Sequence, residues 1–205
     1  FMGMVLCQMS AAAINADTLL RRGQFYEKLN TDSALFYYNQ IIADKNLINT
    51  HTETYAKALR KKALLQSENK EERENLDLCR QAIFYFKKMN NGKEIGITHN
   101  TMANIYQVKG YFDLAIANYQ QAAAIFDSIK FYNGLTICYS NIASIYNNTE
   151  QYPNALKYNL LAFQMDVEFG LLKSNTSFQG ISVFFIVFVW FKLWSLNDQF
   201  EIGGD

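Results

Sequence analysis

One proline in 205 residues is the first scarcity. Proline breaks helix interiors, so its near absence points to helices joined by short connections. Charge of one sign is missing as well, since 19 basic residues balance 19 acidic ones. No basic patch is left to meet phosphates, and no nucleic-acid partner is expected. Histidine is limited to His51 and His99, and cysteine to Cys7, Cys79 and Cys138. No C-x-x-C pair or metal-ligand cluster can be drawn from these, so neither a metal nor a cofactor is expected. G-x-S-x-G, the P-loop and G-x-G-x-x-G are absent too, and catalysis is not expected. His99 falls on the apolar face of its predicted helix and reads as a packed core histidine. Cys79 takes an inward position and reads as a small hydrophobe. A Cys79–Cys138 disulfide, which would skip across stacked helices, is not expected.

What is present is a repeat. Ala103 to Ala122 reads as a helix, a turn at Gly110 and a second helix, and the same order returns from Ala143 to Ala162. Ala103, Tyr106, Ala115 and Ala122 match Ala143, Tyr146, Ala155 and Ala162, a step of 40 residues. A fixed period of this size marks a stacked repeat protein. Ile95, His99, Met102, Ala103 and Tyr106 share one helical face, as do Phe112, Ala115, Tyr119, Ala122, Phe126 and Ile129. Going back along the chain, Ala34, Asn75, Ala115 and Ala155 align with steps of 41, 40 and 40. Ile41, Ala82, Ala122 and Ala162 align with them, and so do Phe25, Gln66, Tyr106 and Tyr146. Four helix pairs are predicted, over 15–45, 51–89, 95–129 and 135–168. Thr31-Asp32-Ser33 offers helix-capping residues, and Pro153 fits a first helical turn. Asn91-Gly92 and Asn133-Gly134 read as connection turns, and Glu68 to Glu74 as a solvated turn. The alanines let two helices approach closely, and Tyr106, Tyr119 and Phe126 fill the remaining space.

The order of the third pair (small residue, aromatic, glycine turn, alanine, aromatic, alanine) resembles a tetratricopeptide repeat. The usual 34 residues are stretched to 40 by longer connections such as Ile129–Leu135. The second pair departs from the pattern, with Lys62 where an apolar residue is expected and Asn75 where alanine is. The first carries Arg22 at the small position. The resemblance covers about 15–168 and implies an all-α, right-handed superhelical solenoid of antiparallel helix hairpins. It also implies a concave groove, lined by the first helix of each pair, that takes a peptide or partner protein. The groove residues would be Lys57, Arg60 and Lys61, then Asn100, Thr101, Asn104 and Gln107, then Ser140, Asn141, Ser144 and Asn147. A ladder of amides can donate to and accept from a bound backbone, and the basic trio suits an acidic group. The other reading of these faces is that they are simply solvated. The family's carboxylate clamp for chaperone tails is not reproduced, because Leu64, Ile137 and Asn141 stand at its positions.

The ends carry expectations of their own. Phe1 to Met9 is mostly apolar and Ala11-Ala12-Ala13 follows, as in the second half of a secretory signal peptide cleaved before Ile14. An apolar helix capping the repeats is the alternative. After Phe169 the pattern breaks, and Ile181 to Trp194 is almost wholly apolar. Residues 178–196 read as a membrane anchor, as a capping segment on the last repeat, or as an end that is not the native continuation. The division is thus 1–13 signal remnant, 14–170 repeat domain and 171–205 apolar segment. The chain is expected to be an exported, non-enzymatic protein-interaction module of the cell envelope. The alternative is the sensor segment of a membrane-anchored bacterial regulator whose output domain lies outside this chain.

Overall fold

A computed structural model describes residues 15–68 and 72–169, and among these every regular element is a helix. The segments 1–13 and 171–205, which carry the signal-peptide and anchor readings, lie outside the described residues. The helices are α1 (Ala16–Tyr26), α2 (Thr31–Ala43), α3 (Leu47–Thr50), α4 (Thr52–Leu65), α5 (Glu72–Lys88), α6 (Gly92–Val108), α7 (Phe112–Ser128), α8 (Tyr132–Asn148) and α9 (Tyr152–Glu168). They fall into two compact units divided after Lys88.

In the first unit α1 pairs with α2 and α4 with α5, and α2 packs against α4. Asparagines start its early helices: Asn15 Oδ1 accepts from Asp17 N and Asn30 Oδ1 from Ser33 N, at 3.0 and 2.7 Å. The cap of α2 is therefore Asn30, with Thr31 to Ser33 already inside the helix. The one-turn α3 bridges the pairs and has no counterpart in the expected pattern. Tyr26, rather than Phe25, occupies the Tyr106 position. Its ring stacks on Tyr37 at 5.7 Å, whereas Phe25 is 66% exposed. The small residue of α1 is correspondingly buried Gly23 and not exposed Arg22. A Cβ on Gly23 would lie 2.5 Å from the Tyr38 ring.

The second unit is more regular. Each of its helices has 17 residues, each connection has three, and together they account for the whole 40-residue period. The extra length over a 34-residue repeat thus lies in the helices, not in longer connections. All the connections turn the same way. Asn90, Gly110, Lys130 and Glu150, spaced by 20 residues, hold positive φ of 52°, 80°, 57° and 60°. In the last three, the amide two residues past the helix cap bonds back across six residues: Tyr111 N to Tyr106 O, Phe131 N to Phe126 O, and Gln151 N to Tyr146 O, at 2.8–2.9 Å. This paired closure satisfies carbonyls that a helix end would otherwise leave open.

Packing follows the aligned positions. Ala34, Asn75, Ala115 and Ala155 are fully buried, and so are Ile41, Ala82, Ala122 and Ala162. Asn133 and Gly134 do not form a turn. They lie in the first turn of α8, where a Cβ on Gly134 would sit 2.7 Å from the Phe126 ring. Gly96 in α6 makes room for the other side of Phe126. His99 is only half-buried, with Nδ1 3.5 Å from Asn118 Oδ1, so it is a contact with α7 and not a core residue.

Candidate partner-binding face

The first helices, α6 and α8, each meet more than one neighbour, since α8 packs on both α7 and α9 and also touches α6. Their buried arcs are therefore wide. In α6 that arc includes Thr98 and Thr101, which a single-sided packing pattern would leave in solvent. Thr101 is 3% exposed and its hydroxyl donates to Ile97 O at 3.0 Å, so it faces the interior.

Asn100, Asn104 and Gln107 remain half-buried on the other side of α6, at helical spacing. Asn100 Oδ1 accepts from Asn141 Nδ2 of α8 at 3.3 Å and lies 3.9 Å from the Cys138 sulfur. Asn104 and Gln107 hold the hydroxyl of Tyr119, which reaches across from α7 and lies 2.7 Å from Gln107 Oε1. A phenol has one proton, so it donates to one of these amides and accepts from the other turned over. Burial pushes the Tyr119 phenol far above its ordinary range and keeps that proton in place.

Forty residues on, Ser140, Ser144 and Asn147 stand where Asn100, Asn104 and Gln107 stand in α6, and all three are half-buried. Across from them Asn159 replaces Tyr119 and is too short to make the same span. Ser140 Oγ, Asn147 Oδ1 and Asn159 Nδ2 find no hydrogen-bond partner among the described residues.

The basic trio of the first unit lies differently. Arg60 is 7% exposed. Lys57 pairs with Glu53 at 2.7 Å and Lys61 with Glu27 at 3.0 Å, and Glu27 also accepts from Tyr38. Both lysines are already neutralised within the unit.

One feature of the second unit was not singled out by the sequence. A cleft of about 510 Å³ lies beside the α6–α7 and α8–α9 connections, with Tyr111, Asp113, Ile145, Tyr146 and Gln151 on its walls. Only the connection geometry brings these residues together. Cys79 and Cys138 are free and buried, and burial pushes each thiol up to about 12, so neither is a nucleophile near neutral pH.

Helix hairpins of this kind define a tetratricopeptide-type repeat protein, and solved structures of that class match. A kinesin-light-chain-type protein of Podosopora anserina with nearly identical TPR-like repeats is 13% identical, over 90% of each chain, with a TM-score of 0.66. A Rap protein complexed with Competence and Sporulation Factor is 14% identical over 88% of this chain and 53% of its own, with a TM-score of 0.68. A signal transduction ATPase of the STAND type with a tetratricopeptide repeat sensor, from Pyrococcus horikoshii, is 17% identical over 82% of this chain and 26% of its own, at 0.61. At these identities the likeness is one of fold. No curated protein matches the sequence. A family model described as soluble NSF attachment protein, SNAP, matches residues 26–176, and the chain belongs to that family.

Proposed function

We propose that this chain is a non-enzymatic module that binds a peptide or partner protein along the first helices of its repeats. The contacts would come mainly from Asn100, Asn104, Gln107, Ser140, Asn141, Ser144 and Asn147. The observation that carries the proposal is the amide row on α6 and α8, joined by the Asn100–Asn141 bond and braced from behind by Tyr119. Side chains already held in place lose little freedom when a ligand arrives. Each amide offers both a donor and an acceptor to an extended backbone. The repeat fold is of the type used for protein–protein contact, the matching family is described as an NSF attachment protein, and the Rap neighbour was solved in complex with a factor. Lys57, Arg60 and Lys61 of the first unit have a lesser role in this reading. An acidic ligand group would have to displace Glu53 or Glu27, although part-exposed ion pairs of this kind are worth only about 0–1 kcal/mol.

The test compares wild type with Asn104→Ala/Asn141→Ala in capture of partners from the source cell, with thermal melting to verify the fold. Loss of partners by a variant that melts like wild type is expected. A folded variant that keeps every partner removes the amide row from the reading.

A second reading is a sensor segment of a membrane-anchored regulator, exported by residues 1–13. It draws on the Pyrococcus horikoshii neighbour, whose repeats are described as a sensor. Among the described residues no helix is long and apolar enough to cross a membrane, so this reading depends on 178–196 entering one.

A further inference from the structure

The cleft beside the α6–α7 and α8–α9 connections serves neither the helix packing nor the amide row. One wall is the start of α7 with the residues before it, including Gly110, Tyr111 and Asp113. The other is the end of α8 with the connection after it, including Tyr146, Thr149 and Gln151. Its volume of about 510 Å³ is in the range of sites that take a small ligand or a side chain. A smaller cleft of about 300 Å³ in the first unit offers a comparison. Asp32, which stands at the Asp113 position, lines it with Tyr26 and Tyr37. There the chain supplies an arginine of its own: the guanidinium of Arg22 lies 6.0 Å from the centre of the Tyr37 ring.

Charge and rings at the larger cleft also suit a cation. Glu27, Glu53, Asp77 and Asp127 each pair with a basic residue, and Asp113 has no such partner among the described residues. Glu150 adds a second carboxylate between Thr149 and Gln151, against Lys109, which precedes Gly110 and is not on the wall. The negative, C-terminal end of the α8 dipole is here as well, with no basic residue in its last turn. Other rings already carry a cation of the chain, as Lys45 does on Tyr55, Lys88 on Phe84, Lys93 on Phe131 and Lys157 on Tyr158. Tyr111 and Tyr146 carry none among the described residues. Both rings are braced, Tyr111 by Tyr106 at 6.5 Å and Tyr146 by Tyr158 at 5.7 Å. Burial raises the Tyr146 phenol above its ordinary value, and Tyr158 and Asp113 add to the rise. The carboxylate on one wall is therefore felt at the ring on the other.

We propose that this cleft binds an arginine side chain of a partner protein, its guanidinium paired with Asp113 and stacked on the tyrosine rings. A planar guanidinium can lie on a ring and still donate two parallel hydrogen bonds to a carboxylate. A lysine ammonium is a compact, strongly hydrated charge that cannot do both in one plane. The contact with the ring strengthens as water leaves, and braced rings lose little freedom when the ligand arrives. This sequence has no arginine beyond Arg80, so the second unit has none of its own to fill the cleft as Arg22 serves the first. The site is separate from the amide row, and failure of the Asn104→Ala/Asn141→Ala test leaves it standing.

The test titrates the nitrogen-15-labelled full chain with a blocked tripeptide, acetyl-Gly-Arg-Gly-amide, and follows the backbone amide signals. Saturable shifts are expected at Gly110, Asp113, Thr149 and Gln151. The same peptide with citrulline, which keeps the shape but not the charge, should give none. A lysine peptide should bind several-fold more weakly. Asp113→Asn should weaken the arginine peptide several-fold, whereas Asp127→Asn, at the far end of the same helix, should not. Should Asp113→Asn disturb the melting, Gln151→Lys places a competing cation on the opposite wall and should weaken binding as much. Shifts that do not saturate, or that the citrulline peptide reproduces, overturn the proposal. So does wild-type affinity in both cleft variants. A lysine peptide that binds as tightly as arginine overturns the assignment to a guanidinium.

Discussion

Hairpins α6–α7 and α8–α9 share helix length, connection geometry and the buried alanines at 103/143, 115/155 and 122/162, yet they fill the space between their helices differently. The third hairpin uses two large aromatics, Tyr119 and Phe126, with Gly96 making room for the Phe126 ring. At the same positions the fourth has Asn159, Asp166 and Thr136. Its filling is short and polar, and Asn159 Nδ2 and Thr136 Oγ1 lack partners in hydrogen-bond geometry among the described residues. The backbone is therefore set by the crossing alanines and the connections, and the large side chains decide how firmly it is held. Stability should be concentrated in the third hairpin.

The widest separation is expected at the Phe126/Asp166 position. Phe126 is 2% exposed, and Phe126→Ala should cost about 3–5 kcal/mol in urea unfolding, since Gly96 and Gly134, which face its ring, bring no side chain to fill the cavity. Asp166 should behave in the opposite sense. Burial raises its carboxyl above the usual range, with the neighbouring Thr136 hydroxyl pulling the other way. The protonated acid is thus the form the fold favours. Its contribution is complete below the ordinary carboxylate value of about 4 and is lost as pH rises through the raised native value. Asp166→Asn imitates the protonated form, so the variant should melt higher than wild type at neutral pH and converge with it in acid. A gap that widens toward low pH would show that the carboxylate is favoured instead.

A smaller contrast is expected two turns earlier. Tyr119→Phe removes the hydroxyl shared by Asn104 and Gln107, and should lower stability by about 1 kcal/mol, because both amides are half-exposed and water can replace it. Asn159→Leu removes an unpaired buried donor and should be neutral or stabilising. Equal losses at the two positions would mean that Asn159 has a partner as good as that of Tyr119.

The recurring alanines were legible in the sequence because each occupies a buried helix crossing, and a crossing must recur with the period, although Asn75 and Ile41 take two of these positions in the first unit. The connections were not. Gly110 advertises its left-handed backbone and Asn90 is a residue type that favours it, while Lys130 and Glu150 adopt the same conformation without a residue type that signals it. The glycines misled in the other direction: Gly134 reads as a breaker, yet it sits inside α8 to admit an aromatic ring. On the candidate face, the polar row on α6 could be read from its spacing, but Thr101 could not be separated from it, because α6 is buried along a wide arc. The Asn100–Asn141 bond was hidden for a different reason. The period aligns Asn100 with Ser140, and the bond joins residues 41 apart.

The finest difference between the hairpins lies in their turns, and a swap isolates it. Gly110 and Glu150 hold φ of 80° and 60° at the same point of the same closure. A Cβ on Gly110 would meet nothing within 4 Å, so changing this residue alters the backbone preference and not the packing. An L-residue here crowds its own carbonyl, whereas glycine has no such penalty but gives the unfolded chain more freedom. With the two effects partly cancelling, Glu150→Gly should stabilise by about 0.5–1 kcal/mol, and Gly110→Glu should destabilise by a similar amount. Opposite shifts of similar size would make the two connections interchangeable and leave the helix filling as the real difference between the hairpins. Two shifts of the same sign would instead locate part of that difference in the turns.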